Sequence, residues 1–150
     1  MSIKINVDLA PLDRKCVLYR NAALSHTSSG NFQAIAWDTE REDPEGWHAA
    51  NASVITLPEA GLYLVSVNAT FVADGTSWRS LEVRTNGGTW TWAAAFDAGS
   101  SGSYDHPMSI TAISYFAAGT DLEIYGAQNS GGTLAYAVGE ENTRVVVAKL

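Results

Sequence analysis

The residues that could do chemistry are few and scattered along this chain. Its three histidines, His26, His48 and His106, lack the short H-x-x-x-H spacing that is typical of paired metal ligands. A Ser-His-carboxylate triad is not indicated either, since no G-x-S-x-G segment occurs. The single cysteine, Cys16, excludes an internal disulfide framework and a multi-cysteine metal site, and its apolar neighbours predict a small buried side chain. The sequence therefore predicts a protein that is not an enzyme.

One acidic segment, residues 38–45 (DTEREDPE), holds five carboxylates in eight residues. Hard cations such as Ca²⁺ prefer several oxygen ligands, so calcium binding is one interpretation of this segment. The spacing is not that of an EF-hand loop, and a solvated surface loop is the more ordinary interpretation. We expect no cofactor and leave calcium open.

Aromatic side chains offer a second kind of chemistry, because they stack on sugar rings and anchor protein partners. Trp47 and Trp78 lie in predicted loops or at strand ends. A Gly/Ser-rich loop carries Tyr104, Asp105 and His106, and loops on a rigid scaffold often carry recognition. These five residues form the candidate contact surface. Packing against a neighbouring subunit is the alternative for the two tryptophans.

Composition limits the class of protein. The chain has 150 residues, 46% hydrophobic and 17% charged, which is typical of one globular domain. A net charge of -7 argues against binding to nucleic acid or to an anionic membrane surface. No apolar run approaches the ~18 residues of a membrane span. The N-terminus lacks the apolar stretch of a secretory signal, so we expect a protein made in the cytoplasm.

Period-2 alternation predicts an all-β domain. Residues 62–71 place apolar side chains on one face and several polar ones on the other, as a half-buried strand does. Turn residues such as Asn86-Gly87 separate this segment from similar ones, and no helical stripe is present. We read residues 1–15 as an arm or an edge strand. Strands are predicted at 16–20, 32–37, 52–57, 62–71, 78–85, 90–96, 108–116, 122–127 and 143–150, with a weaker one at 134–138.

Two segments carry more apolar surface than one core requires. Residues 108–116 are apolar on both faces, and such a strand needs cover on each side. One side is expected to face the core and the other a subunit contact. Residues 90–96 place Trp90, Trp92, Ala94 and Phe96 on one face, which is expected to be core or subunit contact. The candidate seam residues are Trp90, Trp92, Ile113 and Tyr115.

Several segments together resemble a known family. Residues 32–71 combine a strand, an acidic loop, a short strand and a P-x-x-G-x-Y turn into a long strand. Residues 79–88 (RSLEVRTNGG) run into an Asn-Gly turn, and residues 109–134 join two strands through Gly119-Thr120-Asp121 and end near Q-N-S-G. TRVVVAKL stands where the closing strand is expected. Over residues 16–150 the chain is similar to the C1q/TNF-like jelly-roll family, particularly its bacterial and phage members.

The resemblance implies a ten-stranded, two-sheet antiparallel jelly roll that forms a homotrimer. Family members bind proteins, carbohydrates or cell surfaces, and some hold calcium near the threefold axis. We therefore expect a non-enzymatic phage virion protein: a head decoration or fibre protein, or a tail-tip module that contacts a host surface glycan or protein. In the decoration version, residues 1–15 attach to other virion proteins. The alternative is a bacterial or extracellular C1q-like lectin or adhesion domain from a longer chain.

Overall fold

The computed structural model describes residues 14–27, 30–74, 78–87, 90–97 and 104–150, so most of the predicted arm lies outside the described residues. Within these ranges the chain forms twelve strands and no helix. None of the described residues belongs to a helix with the length and hydropathy that a membrane crossing requires. The strands are β1 (Lys15–Tyr19), β2 (Ser25–His26), β3 (Gln33–Ala34), β4 (Thr39–Glu42), β5 (Val54–Leu57), β6 (Gly61–Phe71), β7 (Arg79–Thr85), β8 (Trp90–Asp97), β9 (His106–Phe116), β10 (Thr120–Gln128), β11 (Leu134–Ala135) and β12 (Arg144–Lys149).

The described strands form two five-stranded sheets and one small ladder. The first sheet has the order β4-β1-β12-β6-β9. The second has the order β3-β10-β7-β8, and β5 also pairs with β10. Strands β11 and β2 form the small ladder. Every pairing is antiparallel, so the prediction of ten strands in two antiparallel sheets is confirmed.

The core lies between the two sheets and follows the strand alternation. In β6 the side chains of Tyr63, Val65 and Val67 are fully buried, while the intervening positions are less so. Burial of a single large apolar side chain contributes roughly 1.5–3 kcal/mol, so this strand is a major source of stability. Buried side chains from both sheets join it in one cluster, including Val145 and Val147 of β12 and Leu81, Val83, Leu122 and Ile124 of β7 and β10.

The acidic segment is partly a strand, which corrects its interpretation as a solvated loop. Thr39–Glu42 forms β4 at the edge of the first sheet and pairs with β1, where Glu40 lies opposite Leu18. An edge strand has one unpaired side, and charged side chains there suit the exposed position. The sequence missed this strand because charge dominates its pattern.

Residues 32–37 form less strand than predicted. Only Gln33–Ala34 pairs with β10, yet Ile35 and Trp37 remain fully buried. The Ile35 N–H donates to the carbonyl of Ile124, and the Trp37 N–H donates to the carbonyl of Ala52. Ile35 and Trp37 are two residues apart and are both buried, although the regular ladder covers only residues 33–34.

A bulge in β8 divides a face that the sequence treats as continuous. Ala93 lies opposite Val83 and Thr91 opposite Arg84, so Trp92 has no direct partner. An extra residue reverses the alternation of a strand. Trp92, Ala93 and Ala95 pack against the core, whereas Phe96 is exposed. The prediction that Trp92 and Phe96 share a face is therefore wrong.

Candidate functional site

The outer face of the first sheet exposes large apolar side chains where β6 meets β9. Ile113 and Tyr115 of β9 are 58% and 67% exposed, and Leu62 lies directly opposite Tyr115. The Leu150 N–H donates to the Leu62 carbonyl at 2.9 Å, and the Leu150 side chain is also exposed. We call Leu62, Ile113, Tyr115 and Leu150 the seam surface.

The apolar face continues inward from the seam surface across neighbouring strands. Leu64 lies opposite Ile113, and the half-buried Val146 of β12 lies opposite the buried Val17 of β1, with all four on the face that points away from the core. Contiguous exposed apolar surface marks an interaction site. The Ser66 and Thr111 hydroxyls, 2.9 Å apart, continue the same face as uncharged polar groups. This face therefore suits an apolar protein surface.

Two of the four predicted seam residues lie on the seam surface. Ile113 and Tyr115 are there, whereas Trp92 packs edge-on against Phe116, with ring centroids 5.2 Å apart, on the inner side. The side chain of Trp90 lies outside the described part of the structure. The predicted seam did not include Leu62. The sequence does hold a signal for it, since Leu62 and Leu64 place apolar side chains on the otherwise polar face of residues 62–71.

Trp47 does not offer an exposed ring, which corrects its predicted place on a contact surface. The side chain is 3% exposed and packs edge-on against Tyr63, with ring centroids 5.8 Å apart. Its indole N–H donates to Glu45 Oε2 at 3.1 Å. A buried ring cannot stack on a sugar, so Trp47 belongs to the core.

An ion cluster ties the first described residue to two turns beside Trp47. Arg14 donates from Nε and Nη2 to both oxygens of Glu45, at 2.7 and 3.0 Å, and from Nη1 to Glu59 Oε2 at 2.8 Å. Lys149 also donates to Glu59. The hydrogen bonds from Arg14 and Lys149 lower the pKa of Glu59 to about 2. This cluster attaches the start of β1 to the turn that precedes β6.

Trp78 and Phe96 form the aromatic pair of the second sheet. Their ring centroids are 5.8 Å apart with an interplanar angle of 32°, so the two faces are roughly aligned. Phe96 is exposed and Trp78 is half-buried. The Trp78 ring approaches Gly30 closely enough that a Cβ there would lie 3.4 Å from it. Trp78, one of the five predicted contact residues, therefore lies beside the exposed ring of Phe96.

The three residues of segment 104–106 differ in exposure and contacts. Tyr104 is 82% exposed and is free to contact a partner. Asp105 accepts the Ala73 N–H at 2.8 Å, and the buried His106 has Nδ1 3.1 Å from Asp97 Oδ2. The five predicted contact residues therefore do not form one exposed surface, because Trp47 and His106 are buried.

The carboxylates of residues 38–45 are engaged by protein groups. Burial would raise the pKa of Asp38, but hydrogen bonds from the N–H groups of Asn21 and Ala22 outweigh it and lower the pKa. Within the described ranges, no three His, Cys, Asp or Glu side chains are grouped to hold a metal ion. Calcium binding stays a prediction. The other partners are His48 for Glu40, Lys15 for Glu42, the N–H groups of Trp47 and His48 for Asp43, and Arg14 for Glu45.

Solved structures with the same architecture are distant in sequence. Murine APRIL superposes with a TM-score of 0.70 at 14% identity, covering 91% of this chain and 98% of that one. Eiger TNF from S. frugiperda gives 0.65 at 16% identity, covering 91% of each chain. The globular domain of zebrafish complement 1qA gives 0.64 at 14% identity, covering 91% of this chain and 96% of that one.

Sequence comparison alone gives no such relation, since the chain matches no model of a known protein family and no curated protein. The likeness therefore rests on the arrangement of strands, which extends over nearly the whole of both partners in each superposition. The resemblance drawn from residues 16–150 is confirmed at the level of fold. This chain has the TNF/C1q-like jelly-roll fold.

Proposed function

We propose that this protein is a non-enzymatic binding module that works as a homotrimer assembled through the seam surface. The observation that carries the proposal is the exposure of Ile113 and Tyr115 beside Leu62 on an otherwise well-packed sandwich. Proteins of this fold typically associate as homotrimers, which supports the same assembly. Burial of apolar area contributes roughly 25 cal/mol per Å², so sister copies that cover this face stabilise the assembly.

The threefold arrangement requires two different surfaces on each copy. A cyclic trimer is built from head-to-tail contacts, so the seam surface of one copy meets another region of its neighbour. We place this second surface at the flank where β8 and β9 approach each other. This flank adjoins the seam surface through β9.

For the setting, we propose the surface of a phage virion, as a head decoration or fibre protein or as a tail-tip module. The support is the resemblance of residues 32–71 and 109–134 to bacterial and phage members of the family. The second candidate is a bacterial or extracellular lectin or adhesion domain. The exposed Trp78–Phe96 pair favours it, because aromatic faces stack on sugar rings.

Sedimentation tests the trimer. The 16.0-kDa chain should sediment as a species of about 48 kDa, three times its mass. Ile113→Lys places a charge on the seam surface and should yield a folded monomer, because burial of an unpaired charge is strongly unfavourable. Val138→Lys is the matched control, since Val138 is also exposed and lies outside this surface. A monomeric wild-type chain at micromolar concentration contradicts the proposal.

Gene order and particle composition test the setting. Capsid, portal or tail genes beside this one, and the chain itself in purified particles, are the expected results for a virion protein. A glycan array with wild type and Phe96→Ala tests the second candidate, with Tyr104→Ala as the control for an exposed aromatic elsewhere. Glycan binding that Phe96→Ala abolishes and Tyr104→Ala retains supports the lectin; equal binding by all three chains removes the aromatic-pair hypothesis.

A further inference from the structure

The outer face of the second sheet carries polar and aromatic side chains on neighbouring strands. Leu81 and Val83 of β7 are fully buried, so the alternate residues Ser80, Glu82 and Arg84 point away from the core. Residues directly opposite each other in paired strands share a face. The partners on this face are Phe96, Ala94 and Thr91 of β8, and Ala127, Tyr125 and Glu123 of β10.

Arg84 is clamped between two aromatic rings on this face. Its guanidinium carbon lies 4.4 Å from the ring centroid of Phe32 and 4.4 Å from that of Tyr125. Its Nε donates to Glu82 Oε2 at 2.7 Å, and the Thr91 hydroxyl donates to the same oxygen at 2.9 Å. We call Phe32, Arg84 and Tyr125 the arginine stack. These contacts hold the guanidinium in one position.

The arginine stack leaves most of the guanidinium's donors unused. A guanidinium presents five N–H donors in a planar fork. Nε uses one of them on Glu82, and the Nη1 and Nη2 groups donate to none of the residues that the structure describes. The Arg84 side chain is 18% exposed, so a ligand can reach it. A fork held in this way can donate to two neighbouring hydroxyl oxygens of one ligand.

The charges around Arg84 favour a neutral ligand. Glu82 bonds to Arg84 directly, and the buried Glu123 lies opposite it on β10. Two carboxyl groups thus flank a single cation, in a chain whose net charge is -7. An anionic ligand would meet like charge here, which is unfavourable. Neutral hydroxyl groups, in contrast, can accept from the fork and donate to Glu82.

The Trp78–Phe96 pair stands at the other end of the same face. Phe96 lies opposite Ser80, and four residues separate Ser80 from Arg84, which is about 13 Å along a strand. Ala94 is exposed between the two ends of β8, and its small side chain leaves room above the sheet. A single sugar ring does not span this distance, whereas an oligosaccharide does.

We propose that the outer face of the second sheet binds a neutral oligosaccharide, with the Trp78–Phe96 pair at one end of the site and Arg84 at the other. One sugar ring stacks on the aromatic pair, and another accepts hydrogen bonds from the guanidinium fork. The proposal rests on the second candidate function above, because it takes the aromatic pair as one end of the site.

A glycan array that carries neutral mono-, di- and trisaccharides beside sialylated glycans tests the site. The wild-type chain should bind neutral trisaccharides more strongly than monosaccharides. Arg84→Lys keeps the charge and removes the planar fork, so binding should weaken about tenfold or more. Arg41→Lys is the matched control and should bind as the wild type does, because Arg41 also bonds a glutamate but lies on β4 of the first sheet. A wild-type preference for sialylated glycans, or equal binding by Arg84→Lys, overturns the proposal.

A titration followed by NMR uses the wild-type chain, so a loss of stability in Arg84→Lys cannot decide the result. Addition of the trisaccharide that binds best on the array should shift the Nε–H resonance of Arg84 and leave that of Arg41 in place. An unmoved Arg84 resonance overturns the proposal.

Phe96→Ala separates this proposal from the second candidate function. If Phe96→Ala loses binding and Arg84→Lys retains it, the lectin stands with the aromatic pair alone and the Arg84 end of the site fails. If the wild type binds no glycan, both fail. None of these outcomes depends on the trimer, because the seam surface lies on the first sheet.

Discussion

At the residue scale, the charged and reactive side chains of the described chain mainly hold loops in place. Arg20 donates to the carbonyls of Ala36 and Ala22, which fixes the segment between β1 and β3. Asp43 accepts the N–H groups of Trp47 and His48, which closes the turn that follows β4. The sequence made the acidic segment that contains Asp43 a candidate for cation binding, and the contacts of Asp43 show that it satisfies backbone groups.

Cys16 should be inert in the folded protein. The side chain is fully buried, and burial, with smaller contributions from Asp43 and Glu40, raises the pKa of its thiol well above the ordinary value. The thiolate is the reactive form, so a thiol reagent at pH 8 should label the native chain very slowly. Labelling in guanidinium is the control and should be complete. Rapid stoichiometric labelling of the native chain would contradict the burial of Cys16.

Glu59 should contribute stability that acid removes. Its pKa falls from 4.5 to about 2 in the folded chain, because Arg14 and Lys149 donate hydrogen bonds to it. A depressed carboxyl pKa stabilises the fold above pH 4.5, and this contribution is lost as the pH falls toward 2. Glu59→Gln should therefore lower the thermal midpoint at neutral pH and flatten its fall in acid.

The control for Glu59 is Glu141→Gln, because Glu141 forms no ion pair with the described residues. Its thermal midpoint should follow the wild-type curve between pH 5 and pH 2. If Glu59→Gln follows that curve as well, the cluster around Arg14 does not couple to folding.

At the element scale, β6 and β10 carry much of the architecture. Strand β6 lies between β12 and β9, and β10 is paired with β7 on one side and with β3 and β5 on the other. Gly126 is the point of closest approach on β10. A Cβ at this position would lie 1.8 Å from the Tyr136 hydroxyl and 3.3 Å from the Phe71 ring. The small-ladder strand β11 and its neighbour Tyr136 can pack there only because the residue is glycine.

Gly126→Ala should destabilise the fold. Overpacking of this kind costs typically 1–3 kcal/mol in the free energy of unfolding, measured by urea titration. Gly132→Ala is the matched control, because a Cβ there meets no atom within 4 Å, and its free energy of unfolding should change little. Equal stability of the two variants would show that β11 shifts to accommodate the methyl group without cost.

Tyr136→Phe should relieve part of the overpacking that Gly126→Ala introduces. The Tyr136 hydroxyl is buried and has no hydrogen-bond partner among the described residues. Removal of an unsatisfied buried hydroxyl is nearly neutral or stabilising. The double variant with Gly126→Ala should therefore recover stability in a double-mutant cycle. Strict additivity of the two changes would contradict the contact.

At the scale of the whole molecule, the sandwich is complete in its interior and open on one outer face. Its core cluster joins both sheets, and the flank between β8 and β9 is closed by Trp92 and Phe116. The seam surface gathers four of the seven large hydrophobic side chains that are exposed among the described residues. Because its described side chains carry no charge, the assembly that we propose through it would depend on apolar burial rather than on ion pairs.

Thermal stability should rise with protein concentration if the chain assembles. A partner that binds only the folded state stabilises it by mass action, so the thermal midpoint of the wild type should increase over the micromolar range. It should change little between about 0.05 and 0.5 M salt, because screening acts on charges. Ile113→Lys should remove the concentration dependence and Val138→Lys should retain it. A wild-type midpoint independent of concentration argues for a monomer.

By itself, the sequence determined where the long strands run and which of their side chains face the core. Segments such as 62–71, 108–116 and 122–127 could be predicted locally, because the side chains of consecutive residues in a strand point to opposite faces. Asn86-Gly87 marked a turn for the same reason, and Asn86 has the positive φ that such turns require. The sequence also predicted the apolar row of β9 that faces away from the core.

The tertiary structure decided the features that depend on residues distant in sequence. A bulge placed Trp92 inward, a charged segment became an edge strand, and Tyr63 with Glu45 enclosed Trp47. Only pairing showed that Leu62 and Leu150 extend the row of Ile113 and Tyr115 into a surface. Alternation reports which face a side chain occupies. What covers that face is set by strands far away along the chain, and so only the folded molecule reveals it.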